Sequence, residues 1–585
     1  MAARSVLLTA LVAAGAAVEV AAQDSTVIDV DIPDGLATRP LVPDVYGYSI
    51  EPIWVDAYTS TPLAATLLRA VANVTGKPPP IRVGGNTADQ TYLHDGPLLP
   101  DGNVSAARPG LPAANRFDIT PAWFRTWGEY FPDGTELTYT LNLAANASGW
   151  ANAVAQAAAA GAALGPRLAQ FELGNEVDHF IAKGWRGADW GVDAYVVQFR
   201  NLTGQIAGAD WYAAAGAAAP KFQAGVIADP PWVHDQHDEI DDFSVANLTR
   251  DGAGGIAERP EDRALISSYA MHLYPQSSCD PARWLRMRLD LLSNHTTLWL
   301  GINISQYGPQ IAAAERAGAP FVMGETNSVS CGGRSGISDT FGAALWGVDY
   351  VLGGAALGIR QTFFHLGAQS EYSAFTPAAY ELKNESLAAG IRPGWYAHYF
   401  VARVAAPVAG ANRTQGEGAP ALGIAALPGA NTSALSGYAV YAGRALRRLV
   451  FLDVGVWNGT AGLGNPSTLR ATDARDAAHH SAGARPAATL RLATPWCAGA
   501  RVAAARLAAP GTNAKSGVTV AGLAFDPSTG AAAAADDAPA ETLVVAHGGA
   551  LAVPIRRAEA VLLELQSAGD GCAAKEKGER KKGGH

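Results

Sequence analysis

Short runs rich in β-branched and aromatic residues recur along the chain, and each is followed by a longer Ala/Leu-rich stretch with helical spacing. The runs are Asp44–Glu51, Pro80–Asn86, Leu137–Ala144, Leu168–Glu176, Lys221–Asp229, Leu265–Tyr274, Pro320–Asn327 and Gly358–Gly367. Between them the pattern predicts helices over Thr61–Asn73, Ala151–Leu164, Asp193–Ile206, Ala282–Leu292, Gln306–Ala317 and Asp339–Leu352. Strand and helix alternating eight times predict an α/β fold, a (β/α)8 TIM barrel whose active site gathers at the C-terminal ends of its strands. A doubly wound open sheet is the alternative. The first strand lacks a Gly-rich phosphate loop, and no G-x-G-x-x-G or Walker pattern stands between a strand and a helix, which argues against it.

After Arg392 the texture changes. Short alternating runs at Tyr438–Ala442, Arg448–Asp453, Ala488–Leu492, Val518–Leu523, Glu541–Val545 and Ala560–Leu565 predict a C-terminal β-sandwich. The expected division is a signal peptide over 1–22, an N-terminal strand within 23–36 that can join the sandwich, the catalytic barrel over 37–390, the sandwich over 391–567 and a disordered basic tail over 568–585. The segment 1–22 has a basic start at Arg4, an apolar run from Val6 to Val18 and small residues before Gln23, as an exported chain requires. That run is too short to span a bilayer, so no membrane association is expected. Ala213–Ala219 and Ala531–Ala535 are low in complexity and are expected to be surface loops.

Composition narrows the function. Hydrophobic residues make up 49% and charged residues 16% of 585, enough for large cores and against global disorder. A formal net charge of -10 excludes nucleic acid as a natural partner and disfavours long sulfated polyanions. Eleven Asn-x-Ser/Thr sequons, at Asn73, Asn103, Asn146, Asn201, Asn247, Asn294, Asn303, Asn384, Asn412, Asn431 and Asn458, suit a secreted, extracellular glycoprotein. The four cysteines do not have zinc-site spacing, so no metal is expected, nor any other cofactor. Cys279 and Cys331 follow the sixth and seventh strands on neighbouring loops of one rim, where a disulfide would brace the latter loop. Cys497 with Cys572 would tie the sandwich.

The chemistry lies where polar residues end buried strands. The fourth strand ends in Gly174-Asn175-Glu176 and the seventh in Gly324-Glu325-Thr326-Asn327, delivering two carboxylates to opposite sides of the barrel mouth. Glycosidic cleavage needs such a pair, a proton donor on one face of the bond and a carboxylate on the other. Either glutamate alone would read as a salt-bridged carboxylate at a helix start. Both on these two strands point to catalysis, with Glu176 as acid/base, Glu325 as nucleophile and Asn175 placed to bond a sugar 2-hydroxyl. The acid is expected to have a raised pKa. Glu172, Asp178 and Glu51 are alternative carboxylates, but Glu172 lies within the fourth strand and Asp178 past its end.

These motifs resemble the clan A retaining glycosidases. The run Gly324–Gly333 (GETNSVSCGG), continued by Ser338–Tyr350, resembles glycoside hydrolase family 79, which includes fungal β-glucuronidases and heparanases. Gly47–Glu51 (GYSIE), Arg82–Leu93 (RVGGNTADQTYL) and His272-Leu273-Tyr274 are similar to the same family. The resemblance implies exo-cleavage of β-glucuronides, 4-O-methyl glucuronides among the possible substrates, with Glu51, Asn86 and Asn175 bonding sugar hydroxyls and Tyr274 orienting the nucleophile. In the loop His365–Tyr372 it implies uronate recognition, with Gly367 and Tyr372 as donors. Glu371 departs from the family pattern there, since an inward-facing carboxylate would repel a uronate. Asn86 as a helix cap and Tyr274 as a core aromatic are the structural alternatives. Rival functions are a clan A glycosidase acting on a neutral sugar and a noncatalytic carbohydrate-binding wall protein.

Overall fold

The computed structural model describes residues 26–33, 35–94, 116–145, 150–229, 242–251, 254–300, 304–382, 385–408, 421–460, 480–535 and 541–567. The expected signal segment 1–22, the basic tail 568–585, Cys572 and the sequons at Asn103, Asn146, Asn303, Asn384 and Asn412 lie outside them.

Eight parallel strands close into a barrel: β1 Tyr46–Ile50, β2 Ile81–Val83, β3 Leu137–Leu141, β4 Leu168–Leu173, β5 Lys221–Ile227, β6 Ile266–Leu273, β7 Phe321–Thr326 and β8 Thr362–Leu366. Each runs beside its sequence neighbours, and β8 returns to pair with β1 in the register His365 opposite Ser49. All eight runs read from the sequence overshoot their strand at the C-terminal end, because those last residues leave the ladder to form the rim of the barrel mouth. Helices follow at Pro62–Thr75, Pro121–Tyr130, Trp150–Leu164, Val192–Ala207, Ile304–Arg316 and Phe341–Leu357. The expected helix over 282–292 is instead a 3-10 turn at Pro281–Arg286 and a short helix at Leu289–Leu292.

A further helix, Pro393–Ala405, packs on Phe341–Leu357 and Pro62–Thr75, so helical barrel structure runs beyond the residue 390 read from the sequence. Its N-terminal proline supplies a helix-ready φ. It is buried on almost every side, which removes the polar stripe by which an amphipathic helix is recognised.

The remaining strands form a sandwich. Thr26–Asp31 pairs in parallel with Ala487–Ala493, which pairs with Ala550–Arg556, giving one small sheet. Facing it is a larger sheet built on Leu435–Ala442, Ala445–Asp453, Arg501–Ala508 and Glu559–Ser567. Between them Val30, Leu490, Val553, Leu449, Phe451 and Leu563 form a core separate from that of the barrel. Two alanine-rich segments differ from the expected loops: Asp210–Ala215 is helical, and Ala532–Ala534 is an exposed strand paired with Leu523–Phe525. Alanine fits both geometries and carries no side-chain pattern to distinguish them.

The sandwich is fixed to the barrel by directed bonds. Ala514 and Thr512 offer carbonyls to the amides of Phe341 and Gly342 at 2.8 and 2.7 Å, capping the helix that starts there. Tyr438 donates to Asp349 at 2.6 Å, and Lys515 reaches across to Asp339 at 2.8 Å. No helix among the described residues is long and apolar enough to cross a membrane.

Candidate active site

Arg82 on β2 organises the barrel mouth although it is almost fully buried. Its Nε donates to the Glu172 carboxylate at 2.8 Å, one terminal nitrogen donates to Ser49 at 2.9 Å and to Glu325 at 2.7 Å, and the other donates to Asn175 Oδ1 at 2.8 Å. A guanidinium with five donors satisfies this fan of acceptors, as a lysine could not. Thr140 and Gln223 also donate to Glu172, which is therefore a structural anion below the site.

Glu325, at the end of β7, uses both oxygens. Oε1 accepts from the Tyr274 hydroxyl at 2.7 Å, and Oε2 accepts from Arg82, with His365 Nδ1 3.5 Å away. Burial pushes its carboxyl up, but His365, His272 and Arg82 more than offset this and hold it below the usual carboxylate value. It is therefore ionised at neutral pH.

Glu176 leaves β4 through a turn that demands unusual backbone. Gly174 has φ 78°, and a Cβ there would come within 3.1 Å of Val177, Leu143 and Phe180; Glu176 itself has φ 52°. Asp89 anchors this turn by accepting from the Asn175 amide at 2.7 Å and from the Leu143 and Ala144 amides. Burial pushes the Asp89 carboxyl up to about 6 against those hydrogen bonds. Around the Glu176 carboxylate stand His272 Nδ1 at 3.4 Å, His179 Nδ1 at 3.5 Å and Lys183 Nζ at 3.6 Å. Burial raises this carboxyl too, but the two histidines and Lys183 hold it well below the usual range. This reverses the raised value expected of an acid from sequence, because hydrogen bonds from His179 and His272 and the charges of Lys183 and His179 converge on it in the free protein.

One oxygen of Glu176 and one of Glu325 lie within 4.8 Å of each other. Asn175 turns its Oδ1 to Arg82, which can only donate, and so presents its buried Nδ2, which has no hydrogen-bond partner among the described residues, as an open donor beside Glu176.

The other residues expected at the site fall around this centre. Glu51 accepts from the Asn86 and Thr87 amides at 3.0 and 2.9 Å and from the Thr87 hydroxyl, over Gly85, where a Cβ would strike its carboxylate. Asn86 accepts from Lys183 at 2.7 Å and is not a helix cap. The Tyr372 ring lies 6.2 Å from that of Tyr274 and 6.0 Å from that of His365, while its carbonyl accepts from Asn327. The Gly367 carbonyl accepts from Ser370 and Ser373, closing the turn after β8. Glu371 is buried and hydrogen-bonds Asp339, near Arg392 and Lys515, so its carboxyl engages this cluster rather than the glutamates at the mouth. Burial first and Asp339 second push it up to about 8, a neutral acid at pH 7. Arg82, Asp89, His179, Lys183 and His365 were not singled out as site residues from the sequence.

Cys279 and Cys331 are joined, tying the loops after β6 and β7, which also pair at Gln276–Ser277 and Val329–Ser330. Cys497 is also disulfide-bonded. Closing a loop across 52 residues constrains the unfolded chain, so Cys279→Ser is expected to lower stability by about 2–4 kcal/mol. Thermal unfolding with and without reductant checks this, and a reductant-insensitive midpoint in the parent protein would contradict it.

The chain is similar to known proteins in sequence and in fold. Residues 437–562 match the glycosyl hydrolase family 79 C-terminal beta domain. The chain is 28% identical over 461 residues to a Neurospora crassa beta-glucuronidase, covering 74% of this chain and 76% of that one. It is 28% identical over 516 residues to a beta-glucuronidase of Aspergillus niger, covering 85% and 86%. In fold it is similar to a 4-O-alpha-L-rhamnosyl-beta-D-glucuronidase of Fusarium oxysporum 12S, with TM-score 0.68 and 22% identity over 92% of this chain and 100% of that one. A barrel with facing carboxylates, a fused β domain and these relatives define a glycoside hydrolase. Within that class, the match of residues 437–562 and the two fungal relatives support family 79.

Proposed function

We propose that this chain is an exo-acting, retaining β-glucuronidase that works by double displacement. The observation that carries the reading is the pair of carboxylates at the ends of β4 and β7, with oxygens within 4.8 Å of each other. Retaining enzymes hold their carboxyls at roughly 5–5.5 Å, whereas inverting enzymes need room for a water between them. Glu325, ionised and aimed by Tyr274 and Arg82, attacks the anomeric carbon while Glu176 protonates the departing oxygen. Glu176 then deprotonates the water that releases the sugar. Asn175 Nδ2 supplies a donor for the 2-hydroxyl, an interaction that strengthens as the oxocarbenium-like state develops.

The uronate reading is supported by the fungal relatives and by the donors that line the mouth, with Tyr372 and the loop from Gly367 as the groups for the sugar carboxylate. The engagement of Glu371 with Asp339 removes the repulsion that its sequence position suggested. Secretion and N-glycosylation are supported by the 1–22 pattern and by exposed sequons at Asn73, Asn201, Asn247 and Asn431; buried Asn458 is no acceptor in the folded protein.

The test is hydrolysis of 4-nitrophenyl β-glucuronide, its 4-O-methyl derivative and the β-glucoside, with the first-formed anomer followed by proton NMR. The β-anomer of glucuronic acid is expected first. Preference for the glucoside would replace the substrate assignment, and the α-anomer would replace the mechanism.

A further inference from the structure

We propose that His179 is a positioning residue that stores the proton used by Glu176: the pair shares one proton, which rests on the imidazole in the free enzyme and passes to the carboxylate when sugar binds. This rests on the two-glutamate mechanism above and adds the origin of its proton.

The geometry forms a short line. His179 lies three residues beyond Glu176, with Nδ1 3.5 Å from Glu176 Oε2 and Nε2 3.0 Å from Asp229 Oδ2. Asp178 holds that end of β5 in place by accepting from the Ala228 and Asp229 amides at 2.9 and 2.8 Å. The charged groups facing His179 are thus Asp178, Asp229 and Glu176. Those facing Glu176 are His179, Lys183 and His272, with Glu325 across the mouth. Lys183 is itself held by Asn86 at 2.7 Å and by the Trp185 ring, its nitrogen 5.2 Å from the ring centre.

An imidazole among three carboxylates is held protonated despite its burial, and a carboxylate hydrogen-bonded by two imidazoles beside Lys183 is held ionised. A general acid must nevertheless carry a proton when the leaving group departs. A bound sugar displaces water from Glu176, and a uronate adds negative charge; both favour the neutral carboxyl. The Nδ1 proton then crosses to Oε2, leaving a neutral imidazole that still donates Nε2–H to Asp229. Glu176 gives this proton to the leaving oxygen as the C1–O bond breaks and the bond from C1 to Glu325 forms. Water next attacks C1, its proton returns to Glu176 as the ester bond breaks, and the pair again holds one proton.

The experiment is the pH dependence of kcat/KM for the parent enzyme and His179→Gln on an alkyl β-glucuronide and on 4-nitrophenyl β-glucuronide. The alkaline limb of the parent reports loss of the shared proton from the pair. In His179→Gln that limb is expected to move to lower pH by about one unit or more, as the remaining carboxyl loses its proton earlier. At neutral pH the alkyl glucuronide should lose about tenfold or more in kcat/KM, and the nitrophenyl substrate, which needs little acid assistance, much less. An unmoved limb, or an equal loss on both substrates, would overturn the proposal. If His179→Gln does not fold, Asp229→Asn keeps the imidazole but removes its anionic partner. Its limb should move in the same direction by less, and an unmoved limb there is equally fatal. A parent enzyme that cleaves neither glucuronide would overturn the functional reading instead.

Discussion

Glu325→Gln is expected to lower kcat/KM on 4-nitrophenyl β-glucuronide by a factor on the order of 10³–10⁵ with the fold intact. An amide is nearly isosteric with the carboxylate, so the Tyr274 hydroxyl retains an acceptor and the pocket keeps its shape. What disappears is the anion that forms the bond to C1. The variant should still bind glucuronic acid, measured by calorimetry, and its melting temperature should not fall. A mechanism-based 2-fluoro-glucuronyl fluoride should label the parent enzyme on the peptide bearing Glu325 and leave the variant unlabelled. Turnover of the variant within threefold of the parent would remove Glu325 from the nucleophile's role. The pH dependence carries a second check. Because His365, His272 and Arg82 outweigh burial at this carboxyl, the acid limb of the parent profile should fall below the ordinary carboxylate value.

How far the sequence could be read depended on whether a residue's neighbours were near it in the chain. Each barrel strand is a compact β-branched run, and Glu176 and Glu325 stand at the C-terminal ends of two such runs, so local pattern sufficed to place both at the mouth. The Cys279–Cys331 link was legible for the same reason, since adjacent strands bring their following loops together. The protonation of Glu176 was not legible. It depends on His272 from β6 and on His179 and Lys183 from the loop after β4, whose convergence is a property of the folded chain. Glu371 shows the same limit from the other side. Its neighbour Tyr372 suggested a place near the sugar, whereas Asp339 and, from the sandwich, Lys515 define the environment of its carboxyl. The helix Pro393–Ala405 escaped because burial between barrel and sandwich leaves it no polar face.

Arg82 did carry a signal in sequence, a lone cation inside the apolar run Pro80–Asn86, of the kind that drew attention to the glutamates. Its replacement is the sharpest test of how the site is held. Arg82→Met is expected to destabilise the protein by about 3–5 kcal/mol, lowering the melting temperature by roughly 2–4 °C for a chain of this size, because Glu172 remains fully buried without its ion pair. Activity should fall by about 10²-fold or more, since Glu325 loses its 2.7 Å partner and Asn175 loses the donor that fixes its amide. The double variant Arg82→Met/Glu172→Gln separates the two effects. Neutralising the stranded carboxylate should return much of the lost stability, while activity stays low because neither Glu325 nor Asn175 regains its partner. Recovery of both together would mean that Arg82 acts on the site only by keeping β2 and β4 folded, and recovery of neither would place its main contribution at Glu325 and Ser49 rather than at the buried pair.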